Sequence, residues 1–140
     1  MQITKIMTRD VQSISPDTTL QEAAQKMMTL DIGLLPVMEG ARVVGVITDR
    51  DLIVRAIAAG RDPAKTHVRE AMTKVVICCF EDQNTHEAAK QMNDNKIRRL
   101  PVLNRENKLV GIVSLADLSS QDAGLAGEVL KIISQPRVPA

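Results

Sequence analysis

Aromatic side chains are almost absent from this 140-residue chain, which has one phenylalanine, Phe80, and neither tryptophan nor tyrosine. That excludes a base-stacking platform of the kind that holds single-stranded nucleic acid, and a purine bound here has to lie between aliphatic side chains. An excess of charge is lacking too. Eighteen Lys and Arg stand against seventeen Asp and Glu, a formal net charge of +1. Such a balance gives no general attraction to nucleic acid or to an anionic membrane, so any anion site has to be local. No apolar run reaches membrane-spanning length, and the start Met1-Gln2-Ile3-Thr4-Lys5 has no apolar signal core. The expectation is a cytoplasmic protein with no membrane partner.

Cysteine is scarce as well. Cys78 and Cys79 are adjacent, and on a strand neighbouring side chains point to opposite faces. They are poorly placed to pair or to share a metal, and with only His67 and His86 besides no zinc site is expected. Both read as small core residues. The chain has no phosphate loop of the Gly-Lys-Ser type and no recognisable nucleophile and base, so no enzymatic activity is expected.

What is there is one pattern written twice. Sliding the chain by 65 residues aligns Met7-Thr8 with Met72-Thr73, Asp17 with Asp82, and Glu22-Ala23-Ala24 with Glu87-Ala88-Ala89. The alignment continues through Met27 with Met92, Ile32 with Ile97, and Leu35-Pro36-Val37 with Leu100-Pro101-Val102, and from Met7 to Pro36 eleven of thirty pairs are identical. One extra residue in the second copy then brings Gly45 onto Gly111. An internal repeat of this kind governs the reading of everything else. The division is residues 1–62 for the first repeat and 63–140 for the second with its C-terminal helix and tail.

Each repeat parses alike. Ile3 to Met7, and Val68 to Met72, read as a short helical turn leading into an extended piece, Val11 to Ile14 or Val75 to Phe80. Thr19 with Glu22, and Asn84 with Glu87, start a helix. In the first helix Leu20, Ala23, Ala24, Met27 and Met28 form the apolar stripe of a helix lying on a sheet, and Ala88, Ala89 and Met92 repeat most of it. A hairpin follows, Leu34 to Met38 with Val43 to Thr48 and Leu100 to Leu103 with Lys108 to Ser114. Pro36 and Pro101 sit inside the first strand of each, a place that proline tolerates only at an edge or an irregularity; the repetition predicts a break that opens the edge to a ligand. A closing helix, Asp51 to Ala59, ends at Gly60 as a C-cap, and Arg61-Asp62-Pro63 links to the second repeat. Its counterpart, Leu118 to Ile133, carries Gly124 and Gly127 and so is a weaker helix, and residues 135–140 read as a loose end.

The chemistry concentrates in Gly45-Val46-Ile47-Thr48-Asp49-Arg50-Asp51 and its variant Gly111-Ile112-Val113-Ser114-Leu115-Ala116-Asp117. In both an apolar strand runs into a hydroxyl, with a carboxylate three residues on. At a strand-to-helix junction those two groups can face one cleft and grip the phosphate and diol of a ribose, or they can simply form a capping box.

Assembled in this order, the pieces resemble a tandem CBS-domain pair, the Bateman module, and most nearly its stand-alone bacterial members. The resemblance implies an α/β (α+β) fold of two β-α-β-β-α repeats packed sheet to sheet with pseudo-twofold symmetry and two equivalent clefts. Carried over by position, one cleft joins Thr48 and Asp51 to Ile77, Arg98, Arg99 and Pro101. The other joins Ser114 and Asp117 to Gln12, Gly33, Leu34 and Pro36, with Arg50 reaching toward it. Arg98 and Arg99 can bind phosphate bidentately, whereas Gly33 and Leu34 cannot, so tighter binding is expected at the Asp51 cleft. The implied function is a regulatory sensor of an adenosine nucleotide (AMP, ADP or ATP), a regulatory ligand rather than a catalytic cofactor. Its state passes to an unidentified effector protein or through a homodimer. The alternative is a protein-interaction or scaffold module whose clefts stay empty.

Overall fold

The computed structural model describes residues 1–74, 77–121 and 123–134. Val75 and Val76 of the expected extended piece, and the tail 135–140, lie outside the described residues. The chain divides into two compact units: Gln12–Val76, the first unit, and Met1–Val11 with Ile77–Ala140, the second.

In the first unit α1 (Leu20–Leu30) precedes an antiparallel hairpin of β1 (Leu34–Glu39) and β2 (Arg42–Thr48). The chain then enters α2 (Asp49–Asp51), which continues as a π-helix over Leu52–Ile57. In the second unit β3 (Cys79–Phe80) pairs parallel with β4 (Arg99–Leu103), which pairs antiparallel with β5 (Leu109–Ser114). Helices α3 (Thr85–Asn95), α4 (Leu115–Gln121) and α5 (Ala126–Ile133) complete it. The α/β class and the two small sheets agree with the expectation. The leading strand of the first repeat does not: it reduces to a single parallel bridge from Ile14 to Val37.

Two hydrogen-bond patterns explain why the compact units cut the chain differently from the repeat division at 62 and 63. The first N–H groups of a helix have no partner within it. For α1 the Thr19 side chain accepts from the Glu22 N–H, while the carbonyl of Thr66 accepts from the Leu20 N–H at 2.9 Å and that of Pro63 from the Gln21 N–H at 3.1 Å. The 3-10 turn Val68–Glu70 then ties back, Val68 N–H to Thr18 O at 2.8 Å and Arg69 N–H to Pro16 O at 3.1 Å. The 3-10 turn Ile3–Lys5 does the same for α3, through Ile3 N–H to Gln83 O at 2.9 Å, Thr4 N–H to Glu81 O at 3.0 Å and Thr85 N–H to Met1 O at 2.9 Å. The lead-in turn of each repeat is thus the cap of the other repeat's helix, and residues 61–67 are a bonded turn rather than a free linker.

The second pattern joins two halves of the repeated motif. Thr73 and Val46 exchange backbone hydrogen bonds of 3.1 and 2.9 Å, and Thr8 and Ile112 exchange bonds of 2.9 and 3.0 Å. A Cβ on Gly45 would stand 2.8 Å from Thr73 O and 2.8 Å from the Met72 sulfur; on Gly111 it would stand 2.8 Å from Thr8 O and 2.7 Å from the Met7 sulfur. Only glycine permits that approach of one backbone to another. The repeated Met-Thr and the repeated Gly are the two sides of one joint.

Each unit has its own core, around Leu20, Leu35, Val37, Ile47 and Val68 in the first and Ile3, Met92, Leu100, Val102, Val113 and Leu118 in the second. The expected stripe on α1 is too broad: Leu20, Ala23 and Met27 are buried, but Ala24 is exposed and Met28 is 77% exposed. In the second unit α4 and α5 pack on α3, and Ala88, Ala89 and Met92 are all buried. A helix with a sheet on one side buries one narrow edge, and a broad stripe needs a second layer.

Candidate functional site

At the end of β2 the Thr48 Oγ1 accepts from the Asp51 N–H at 3.1 Å, and Asp51 Oδ2 accepts from the Thr48 N–H at 2.9 Å. At the end of β5 Ser114 Oγ accepts from the Asp117 N–H at 3.1 Å, and Asp117 Oδ2 accepts from the Ser114 N–H at 2.9 Å. Both are reciprocal capping boxes, and they agree to a tenth of an ångström. The box uses one of about four lone-pair positions on each carboxylate. Asp51 is 8% exposed and Asp117 half-buried, so each is fixed in direction and retains an oxygen able to accept hydroxyl donors.

The residues flanking the boxes are set by strand register. Leu34 lies opposite Thr48 and Arg99 opposite Ser114. One position earlier, the Gly33 carbonyl accepts from the Asp49 N–H at 2.9 Å and the Arg98 carbonyl from the Leu115 N–H at 3.0 Å. A Cβ on Gly33 would stand 2.8 Å from the Asp49 carboxylate, the end of an exposed side chain that can swing aside. Arg98, Arg99, Arg50 and Gln12 are exposed. The first unit therefore holds Gln12, Gly33, Leu34, Pro36, Thr48, Arg50 and Asp51, and the second holds Ile77, Arg98, Arg99, Pro101, Ser114 and Asp117.

Pro36 and Pro101 are buried, each just before an irregularity in its hairpin, at Val37/Met38 and Val102/Leu103. Ile14 donates to Pro36 O at 3.0 Å and accepts from Met38 N–H at 2.8 Å. A regular parallel ladder would continue with a bond from residue 36 toward residue 12, and proline has no N–H to supply it. The ladder stops at Gln12 and, by the same register of Cys79 on Val102, at Ile77.

Sequence reasoning missed Arg55, one helical step of four beyond Asp51, although that spacing is the ordinary signal for a helical ion pair. Its Nε lies 3.7 Å from Asp51 Oδ1, and its Nη1 donates to the carbonyls of Ala71 and Met72 at 3.4 and 3.2 Å. Arg55 also lines an open cavity of about 610 Å³, which Thr48 and Asp51 do not line. Cys79 is buried and Cys78 half-buried, and burial pushes the Cys79 thiol up to about 12, as for a small core residue. Among the described residues no three of His, Cys, Asp and Glu gather as a metal site, and no helix is long and apolar enough to cross a membrane.

The family model described as CBS domain matches residues 3–57 and again 68–124. The CBS domain-containing protein YhcV of Bacillus subtilis is 39% identical over 125 residues, covering 86% of this chain and 88% of its own. A crystal structure of Hypoxic Response Protein I with two coordinated zinc ions is similar at 32% identity and a TM-score of 0.78, over 86% of this chain and 98% of that one. A crystal structure of the CBS domain pair of protein MJ0100 in complex with 5'-methylthioadenosine and S-adenosyl-L-methionine is 28% identical, with a TM-score of 0.78 over 89% of this chain and 97% of that one.

Proposed function

The chain belongs to the CBS-domain family as a tandem pair, and on that premise we propose that it is a regulatory module, not a catalyst, whose ligand is an adenosine nucleotide: AMP, ADP or ATP. The observation that carries the reading is the pair of matching boxes, each presenting a hydroxyl and a directed carboxylate at a strand-to-helix junction. Asp51 and Asp117 accept the two ribose hydroxyls, the role an acidic residue plays in dinucleotide folds. The backbone around Gln12 and Ile77, where proline ends the ladder, takes the edge of the adenine. Leu34 and the faces of Pro36 and Pro101 supply aliphatic contact in a chain without aromatic rings to spare. Arg98 and Arg99, with Arg50, are the phosphate contacts. The adenosine-type ligands of the MJ0100 pair support this class.

A ligand moves a protein only by binding one state better than another. The signal then reaches an effector protein or passes through a homodimer, for which the exposed Met28, Ile53 and Ile57 of the first unit offer apolar surface. One specific observation favours a second reading, a scaffold that binds no nucleotide: both boxes close as helix caps through hydrogen bonds within the chain.

Thermal denaturation with AMP, ADP, ATP, adenosine and S-adenosylmethionine separates the two. A ligand at a hundredfold excess over its dissociation constant stabilises by about 2.7 kcal/mol. The sensor reading expects such a rise for at least one nucleotide, lost when Asp51 and Asp117 are both replaced by alanine. A flat response to the whole panel favours the scaffold.

A further inference from the structure

We propose that the first unit carries a second ligand site, a groove for an oligophosphate anion, formed by Arg55, Arg61, Arg69 and Lys74. These four cations line the cavity of about 610 Å³ together with a single carboxylate, Glu70, and with Met72 and Thr73. The volume suits a small molecule, and the lining suits an anion with several charges. A chain of net charge +1 has spent four of its cations on one concave surface.

The local fold shows how they are brought there. The π-helix Leu52–Ile57 carries Arg55, and such windings are frequent at functional sites. Beyond it the chain closes in a Schellman turn: Gly60, at φ +73°, donates to Ile57 O at 3.0 Å and Arg61 N–H to Ala56 O at 3.0 Å. That turn delivers Arg61 to the rim. The Val68–Glu70 turn supplies Arg69, and the Thr73–Val46 bridge fixes the approach to Lys74.

Within the chain the cations are only partly engaged. Arg61 meets Glu70 Oε1 at 3.0 Å, Arg69 pairs with Asp17, and Arg55 divides itself between Asp51 and two carbonyls. Arg61, Arg69 and Glu70 are 40–50% exposed as side chains, so these pairs are water-screened and weak. Lys74 is exposed and has no ion-pair partner among the described residues. Guanidinium forks exchange such contacts readily for bidentate bonds to phosphate oxygens. The repeat supplies an internal control: the positions matching Arg55, Arg69 and Lys74 hold Gln121, Thr4 and Arg9, and Arg9 is turned onto Thr4 at 2.7 and 3.1 Å. The shared skeleton does not require the cluster.

The proposal stands apart from the ribose reading, because neither Thr48 nor Asp51 lines the groove. The test is calorimetric titration of the full chain with sodium tripolyphosphate, beside Arg61→Ala, Lys74→Ala, the double variant, and Lys90→Ala with Lys108→Ala as exposed controls in the second unit. The expected result is one saturable site whose affinity weakens as salt rises. Each groove substitution should cost about tenfold, the scale of one charge-assisted hydrogen bond, while the controls bind as the parent does. Backbone amide shifts should map to Arg55, Arg61 and residues 69–74. Equal melting temperatures certify that the variants fold. No binding by the parent, or equal losses in groove and control variants, overturns the proposal. Adenosine, which has no phosphate, reports separately on the Asp51 and Asp117 boxes.

Discussion

The two units share a skeleton and differ in their charged and apolar dress. The helix caps, the Met-Thr to Gly joint and the hydroxyl–carboxylate boxes recur with nearly the same distances. The charged and apolar residues flanking the boxes differ between the copies. Gly33-Leu34 corresponds in sequence to Arg98-Arg99, and Asp49-Arg50 to Leu115-Ala116. A π-helix with Arg55 follows one box, and a regular α-helix follows the other. Exposed Met28, Ile53 and Ile57 correspond to Asn93, Ser119 and Ala123. Geometry that the backbone needs recurs in both copies, and side chains free of that need differ between them.

The most damaging way to test the shared skeleton is to fill its joint. Gly45→Ala and Gly111→Ala each push a Cβ to 2.8 Å from a carbonyl oxygen of the facing backbone, which cannot swing aside as a side chain can. Each should destabilise by about 1–3 kcal/mol or somewhat more, read from urea midpoints. If one substitution is tolerated and the other is not, the equivalence of the two joints fails.

Next in size is the pair Asp51→Ala and Asp117→Ala. Either change removes half of a capping box, worth about 1 kcal/mol, and on the proposed reading also the acceptor for a ribose. Asp51, 8% exposed against the half-buried Asp117, makes its bonds where water competes less, so its loss should weaken nucleotide binding more. Calorimetry on the two variants decides, and a larger loss from Asp117→Ala reverses the ranking. Arg98→Ala with Arg99→Ala should weaken AMP and leave adenosine unchanged, because only AMP carries a phosphate.

The exposed apolar surface gives a smaller effect. On the proposed homodimer reading, Ile53→Glu with Ile57→Glu should weaken self-association in sedimentation by about tenfold or more, because the apolar contact would have to bury charge, while Ser119→Glu should do nothing. Equal effects from both would remove the asymmetry of the two faces.

These comparisons also mark what the chain made readable in advance. The repeat revealed the hairpin strands, the caps at Thr19 and Asn84 and both boxes, because each rests on short-range chemistry between residues a few positions apart. The exchange of lead-in turns was hidden, since Thr18 with Val68 and Gln83 with Ile3 are distant pairs that leave no mark on local pattern. The role of Gly45 was hidden for the same reason: it answers to Met72 and Thr73. The broad stripe on α1 was misread because Ala24 and Met28 follow the helical period whether or not a second layer covers them. Arg55, Arg61, Arg69 and Lys74 are unremarkable when scattered over twenty residues, and only the fold gathers them.

The smallest effects concern two exposed carboxylates held down by different means. In the second unit the Arg105 guanidinium, bonded to Asp82 at 2.8 Å twice over and stacked 4.2 Å above the Phe80 ring, holds the Asp82 carboxyl below its ordinary range. In the first unit the His67 backbone N–H, at 2.7 Å, is the largest single cause that lowers Glu70, with the Arg61 hydrogen bond and charge following. A carboxylate whose folded pKa is depressed contributes stability above its unfolded pKa and loses it as pH falls through the folded one. Both units should therefore soften slightly on acidification below the usual carboxylate range. Arg105→Gln should let Asp82 titrate near its ordinary value in carboxyl-carbon NMR, while Arg61→Gln leaves Glu70 still depressed, because a backbone donor remains where a side-chain donor has gone. Should Glu70 rise as far as Asp82 does, the arginine and not the turn holds it, and the two units manage their acidic groups alike.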